Sequence, residues 1–163
     1  MEFLDKFSRL FNQILLWFAG VFLISMILLT CANIFLRLVW IPVRGTFEIM
    51  GFLGAIATAF ALGYTQIKKG HIAIDIMVCS FSKRTQRILN GLNYLILAIF
   101  FAIVSWQIAK YATTLLKSGE VTETLQIVYY PFTYAVALGC AALFLVFFVD
   151  FLRSVLPRKG DEE

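Results

Sequence analysis

The sequence contains four long runs without a single charged side chain, and these runs constrain its fold more than any other feature. They cover residues 10–36, 49–67, 88–108 and 131–149. Each is close to the roughly 20 apolar residues that a helix needs to cross about 30 Å of hydrocarbon. We therefore predict an all-α integral membrane protein, with residues 1–163 forming a single transmembrane domain of four spans.

The composition excludes most other classes of protein. The chain is 61% apolar and 15% charged, whereas soluble domains are roughly 45–50% apolar and about 25% charged. After four spans, 163 residues leave no room for a soluble catalytic or nucleotide-binding domain. The net charge of +4 therefore calls for no nucleic-acid partner.

The distribution of Lys and Arg predicts the orientation in the membrane. Ten of the 14 basic residues fall on one side of the four spans and four on the other. Short loops rich in Lys and Arg stay in the cytoplasm. We expect a multi-pass membrane protein with both termini cytoplasmic.

The segment between the second and third spans, residues 71–81, is apolar and precedes a basic cluster. A lone strand there would leave backbone groups unpaired at the membrane surface. We predict a short interfacial amphipathic helix, with Lys83, Arg84 and Arg87 near lipid phosphates.

The second span carries small residues at a four-residue spacing, namely Gly51, Ala55, Ala59 and Gly63. Small side chains let another helix approach closely. Two interpretations remain open: packing among the four helices of this chain, or contact with a second membrane protein.

Residues 109–127 form the longest hydrophilic segment on the outer side. We expect Gly119 to end a helix that extends the third span, with Glu120 and Glu123 following it. The segment is either a solvated loop or a docking surface for an extracytoplasmic protein.

The residues offer little for catalysis, so we predict that the chain is not an enzyme. The only histidine is His71, and no His, Cys, Asp and Glu cluster has the spacing of metal ligands. We expect no cofactor, no metal site and no catalytic residue. Glu48 is the acidic group closest to an apolar run; it either couples protons or complements the dipole of its helix, pairing with Arg44 or Arg37.

Three stretches resemble a known family. They are Arg44-Gly45-Thr46-Phe47-Glu48, then Gly70-His71-Ile72-Ala73-Ile74-Asp75, then Thr124-Leu125-Gln126-Ile127 followed by Tyr134 and Gly139. In this order on four spans, they resemble the small membrane subunit of tripartite ATP-independent periplasmic (TRAP) transporters, the DctQ family.

The resemblance implies a three-protein importer of an organic acid such as a dicarboxylate. A periplasmic substrate-binding protein captures the substrate, a large permease subunit moves it with a sodium gradient, and the small subunit braces the permease. Sodium ions are then expected in the partner subunit. Gly51, Ala55, Ala59, Gly63 and Glu48 become candidates for the partner interface, and Arg44, Glu120 and Glu123 for periplasmic docking. The alternative is an autonomous four-helix homo-oligomeric exporter that uses Glu48 for proton coupling.

Overall fold

The computed structural model describes residues 2–39, 41–68 and 83–155, and these contain four α-helices, which confirms the predicted fold class. The helices are α1 (Glu2–Val39), α2 (Thr46–Ile67), α3 (Lys83–Ser118) and α4 (Tyr130–Val155). All four are long and apolar enough to cross a membrane. The segment 71–81, with its expected interfacial helix, lies outside the described residues, as do the side chains of Lys83, Arg84 and Arg87.

Two of the helices are longer than a bilayer requires. α1 has 38 residues and α3 has 36, so each measures more than about 50 Å at 1.5 Å per residue. The prediction that Gly119 ends an extension of the third span is confirmed, because α3 stops at Ser118 and Gly119 has a φ of 66°. A left-handed residue directly after a helix is a common way to end it.

The helices pack side by side in the spatial order α1, α2, α4, α3. α3 packs mainly on α4, α1 packs mainly on α2, and α2 and α4 also pack on each other. About a third or more of the spanning windows of α2 and α4 is buried (33% and 39%), against 11% for α1 and 6% for α3. The two central helices thus form the core, and the flanking helices turn broad apolar faces outward.

A close approach of two backbones in this core joins α2 to α4. A Cβ atom added to Gly139 would lie only 2.8 Å from the Cβ and carbonyl group of Ala59. Ala59 is itself buried, and the side chains of Leu15, Phe60 and Ala142 belong to the same cluster. Because the two backbones almost touch, only the smallest side chains fit at this crossing.

A buried amide on α1 packs against α2 near the other end of the bundle. The Asn12 side chain is fully buried, and its Nδ2 donates a 2.9 Å hydrogen bond to the carbonyl of Ser8. Its Oδ1 has no hydrogen-bond partner among the described residues and occupies the space that a Cβ would take on Gly63. Gly63 is therefore required to accommodate Asn12.

Candidate functional site

Several contacts join residues that are far apart in the sequence at one end of the bundle. This end carries residues 41–45 and 119–129. There the connection between α3 and α4 folds back onto the start of α2. We call this site the loop clamp, and define it as residues 120–129 together with Gly45, Glu48 and Phe52. The sequence predicts that this end faces the periplasm.

The connection between α3 and α4 is a compact hairpin. Val121 and Val128 form an antiparallel bridge. The buried Thr122 holds the turn together: its N–H donates to the carbonyl of Ile127 at 2.9 Å, while its hydroxyl accepts from the Ile127 N–H at 3.1 Å. Its carbonyl accepts from the N–H of Gln126 at 3.2 Å. The segment that the sequence left open as a solvated loop is therefore internally ordered.

Glu48 ties this hairpin to α2. One carboxylate oxygen accepts the N–H of Thr124 at 2.8 Å and the other accepts the N–H of Leu125 at 3.1 Å. The hydroxyls of Thr122 and Thr124 lie near the same carboxylate. In the described residues Glu48 bonds to these backbone amides and forms no ion pair with Arg44 or Arg37, which differs from the expected pairing.

Gly45 forms the second contact of the loop clamp. It precedes α2 with a φ of 72°, and its carbonyl accepts the N–H groups of Glu48 and Ile49. A Cβ on Gly45 would overlap the side chain of Leu125. Glycine is thus needed twice here, for the left-handed backbone and for the space that Leu125 fills.

Aromatic rings form the third contact. The Phe52 ring stacks on Phe132 with centroids 4.2 Å apart and meets the edge of Tyr129 at 5.4 Å. Aromatic pairs of this kind contribute about 0.5–1.5 kcal/mol beyond their area burial. Phe52 lies one turn after Glu48, so polar and aromatic contacts act on the same side of α2.

The turn from α1 to α2 is also fixed by side chains. Asn33 Oδ1 accepts the N–H of Val43 at 2.9 Å, and the buried Thr46 hydroxyl donates to the Val43 carbonyl at 2.8 Å. The sequence analysis did not assign this role to Asn33. An amide within an apolar run nevertheless indicates that its side chain has a hydrogen-bond partner nearby. The start of α2 is therefore fixed on one side by Asn33 of α1, through Val43, and on the other by the hairpin, through Glu48.

Two hydroxyl contacts join α3 to α4 below the loop clamp. The hydroxyls of Thr113 and Tyr134 lie 2.9 Å apart, and Thr113 also donates to the Ala109 carbonyl. Because Thr113 has one proton, Tyr134 is the donor in their shared bond. Ser105 donates to the Ala137 carbonyl at 3.0 Å.

The small residues predicted for a partner interface separate into two sets. Ala59 and Gly63 are buried against other helices of this chain. Gly51 and Ala55 are exposed, and among the described residues no atom outside the adjacent turns of α2 lies within 4 Å of where a Gly51 Cβ would be. Thr58 continues the exposed row one turn further along α2. Only the first half of the stripe is thus free to meet another helix.

The predicted docking residues all lie at the end of the bundle that carries the loop clamp, and their side chains are exposed. Arg44 precedes α2, and Glu120 and Glu123 belong to the hairpin; all three side chains are exposed. Phe47, beside Glu48, is 85% exposed. In the part of the chain that the structure describes, no group of three or more His, Cys, Asp or Glu side chains could share a metal ion.

Four apolar helices joined by short connections define a multi-pass membrane protein. The family model of the DctQ component of tripartite ATP-independent periplasmic transporters matches residues 26–156. The chain belongs to this family and is a transporter component rather than a member of an enzyme family. The match includes both halves of the loop clamp. No curated protein and no solved structure matched the chain.

Proposed function

We propose that the chain is the small permease subunit of a TRAP transporter in a bacterial inner membrane. In this role it braces the large permease subunit and helps to dock the periplasmic binding protein during sodium-coupled uptake of an organic acid such as a dicarboxylate. The loop clamp is the observation that carries the proposal. It engages Glu48, the side chain on which proton coupling by an exporter would depend, in hydrogen bonds with backbone amides of the hairpin.

The exposed row on α2 supports a role in bracing. A glycine within a helix costs about 1 kcal/mol relative to alanine, and Gly51 has no close neighbour in this chain to compensate for that cost. With Ala55 and Thr58 it forms a smooth surface on a central helix. Such a surface suits close packing with a helix of the large permease.

The outer end supports a role in docking. The hairpin is fixed to α2 through Glu48 and Leu125, so the exposed Glu120 and Glu123 are presented on an ordered support at the same end of the bundle as Arg44. Charges of both signs on an ordered surface steer a soluble partner into register. The partner proposed for this surface is the periplasmic substrate-binding protein.

Glu48 separates this proposal from an autonomous exporter. We expect Glu48→Gln to weaken the loop clamp, because the amide keeps one acceptor oxygen but replaces the other with a donor that faces the N–H groups of Thr124 or Leu125. In the complete transporter, the fractional loss of uptake in Glu48→Gln should not exceed the fractional loss of assembled complex.

The measurement uses the chain alone in proteoliposomes that contain a pH-sensitive dye and experience an imposed proton gradient. Addition of a lipophilic cation such as ethidium should cause no proton movement with either the wild type or Glu48→Gln. Proton-coupled transport by the wild type that disappears in Glu48→Gln would establish the exporter instead.

A further inference from the structure

A small cavity opens at the end of the bundle opposite the loop clamp, where α1 begins and α2 and α4 end. Its polar side chains are Ser8 and Arg9 from α1 and Asp150 and Arg153 from α4, and its apolar wall is formed by Ile67, Val146 and Val149. Its volume is about 30 Å³. The sequence predicts that this end lies at the cytoplasmic surface.

The charges around this cavity favour an anion. Arg9 and Arg153 are exposed and contribute two positive charges from two different helices, while Asp150 contributes one negative charge. Guanidinium groups bind the oxygens of phosphate with several N–H donors at once. The hydroxyl of the buried Ser8 adds a further group that can donate a hydrogen bond.

The surroundings of the cavity favour a lipid as the source of that phosphate. Phe7 and Leu10, next to Ser8 and Arg9, are 54% and 61% exposed, and Phe148 on α4 is 41% exposed. These exposed side chains, close in sequence to the charged groups, offer an apolar surface for acyl chains. Basic pockets between spans on the cytoplasmic side are typical sites for lipid head groups.

We propose that the cavity between α1, α2 and α4 binds the phosphate of a membrane phospholipid, with Arg9 and Arg153 as its ligands. The lipid phosphate lies at the mouth of the cavity between the two guanidinium groups, and the acyl chains run along the apolar flanks of α1 and α4. The bound lipid links the start of α1 to the end of α4, the two helix ends that supply the polar side chains of the cavity.

The test is native mass spectrometry of the full chain in detergent during titration with phosphatidylglycerol. The double variant Arg9→Gln with Arg153→Gln should weaken binding of the first lipid at least tenfold. The matched control, Arg37→Gln with Arg44→Gln, removes the same charge at the other end and should change binding less than twofold. Equal weakening by both pairs would overturn the proposal, because it would show attraction by overall charge alone.

Two further arms complete the test. The variant Arg9→Lys with Arg153→Lys keeps both charges and should retain binding within about threefold; loss of binding in a chain that melts like the wild type would contradict the charge argument. Inorganic phosphate at the concentrations of the lipid titration should not displace the lipid. Displacement by inorganic phosphate would assign the site to a free anion and overturn a lipid ligand.

Discussion

Replacing Ala59 by Leu is expected to lower the melting temperature of the isolated chain markedly, whereas replacing Ala55 by Leu should leave it unchanged. At Ala59 the backbones of α2 and α4 are so close that a Cβ on Gly139 would already lie 2.8 Å from Ala59 atoms. Three additional carbons force the helices apart, and overpacking costs typically about 1–3 kcal/mol. Chains of this length lose about 2–4 °C per kcal/mol.

Ala55 is a matched control because it lies on the same helix, one turn before Ala59, and its side chain is exposed. Thermal melting in detergent, followed by circular dichroism or by a fluorescent thiol probe, measures both variants. Equal melting temperatures for the Ala59 and Ala55 variants would contradict the packing of α2 on α4.

Replacing Gly45 by Ala is expected to release the hairpin from α2. The methyl group would occupy the position of the Leu125 side chain, and an L-residue at a φ of 72° adds roughly 1–2 kcal/mol of backbone strain. The amides of Thr124 and Leu125 should then exchange their hydrogens faster, because Glu48 can no longer reach them together. Hydrogen exchange monitored by mass spectrometry measures this change.

Gly51→Ala is the control for the Gly45 variant. It adds the same methyl group where no atom lies within 4 Å, so it should leave exchange in residues 120–129 unchanged and stabilise α2 by about 0.5–1 kcal/mol. A double variant with Leu125→Ala removes the overlap but retains the strain, and should recover part of the protection. Unchanged exchange in Gly45→Ala would show that the loop clamp does not hold the hairpin.

The four spans could be predicted from the sequence because hydrophobicity and length alone require them. Their ends could be predicted only in part, since a helix continues beyond the hydrocarbon wherever its backbone groups remain paired. Gly119 indicated the end of α3, but α1 begins at Glu2, eight residues before its apolar run starts at Leu10. Residues flanking an apolar run carry too weak a signal to fix such a boundary.

The small-residue stripe shows a different limit of sequence reasoning. A step of four residues advances about 40° beyond a full helical turn, so Gly51 and Gly63 lie roughly 120° apart around α2. The stripe therefore cannot face one neighbour along its whole length. The two interpretations left open by the sequence each fit one part: Ala59 and Gly63 pack within the chain, and Gly51 and Ala55 remain available to a partner.

The loop clamp lay beyond prediction from one sequence, although its parts were visible. Glu48 and the segment Thr124–Ile127 were both recognised, yet nothing in their local patterns pairs a carboxylate with amides 76 and 77 residues away. The acceptors of backbone amides depend on the fold rather than on the residue type. The contact of Leu125 likewise could not be predicted, because an apolar side chain in a hydrophilic segment does not indicate which glycine it packs against.

The most direct test of the bracing role is co-purification of the tagged chain with the large permease subunit of its transporter from detergent extracts. The wild type should recover the permease in a constant ratio, and Ala55→Leu should reduce that recovery at least fivefold while the chain itself melts normally. Ala32→Leu, which makes the same change at an exposed position on α1, should recover the permease fully. Full recovery with Ala55→Leu would show that the exposed row on α2 is not the interface, and failure of the wild type to bind the permease would contradict the role of a bracing subunit.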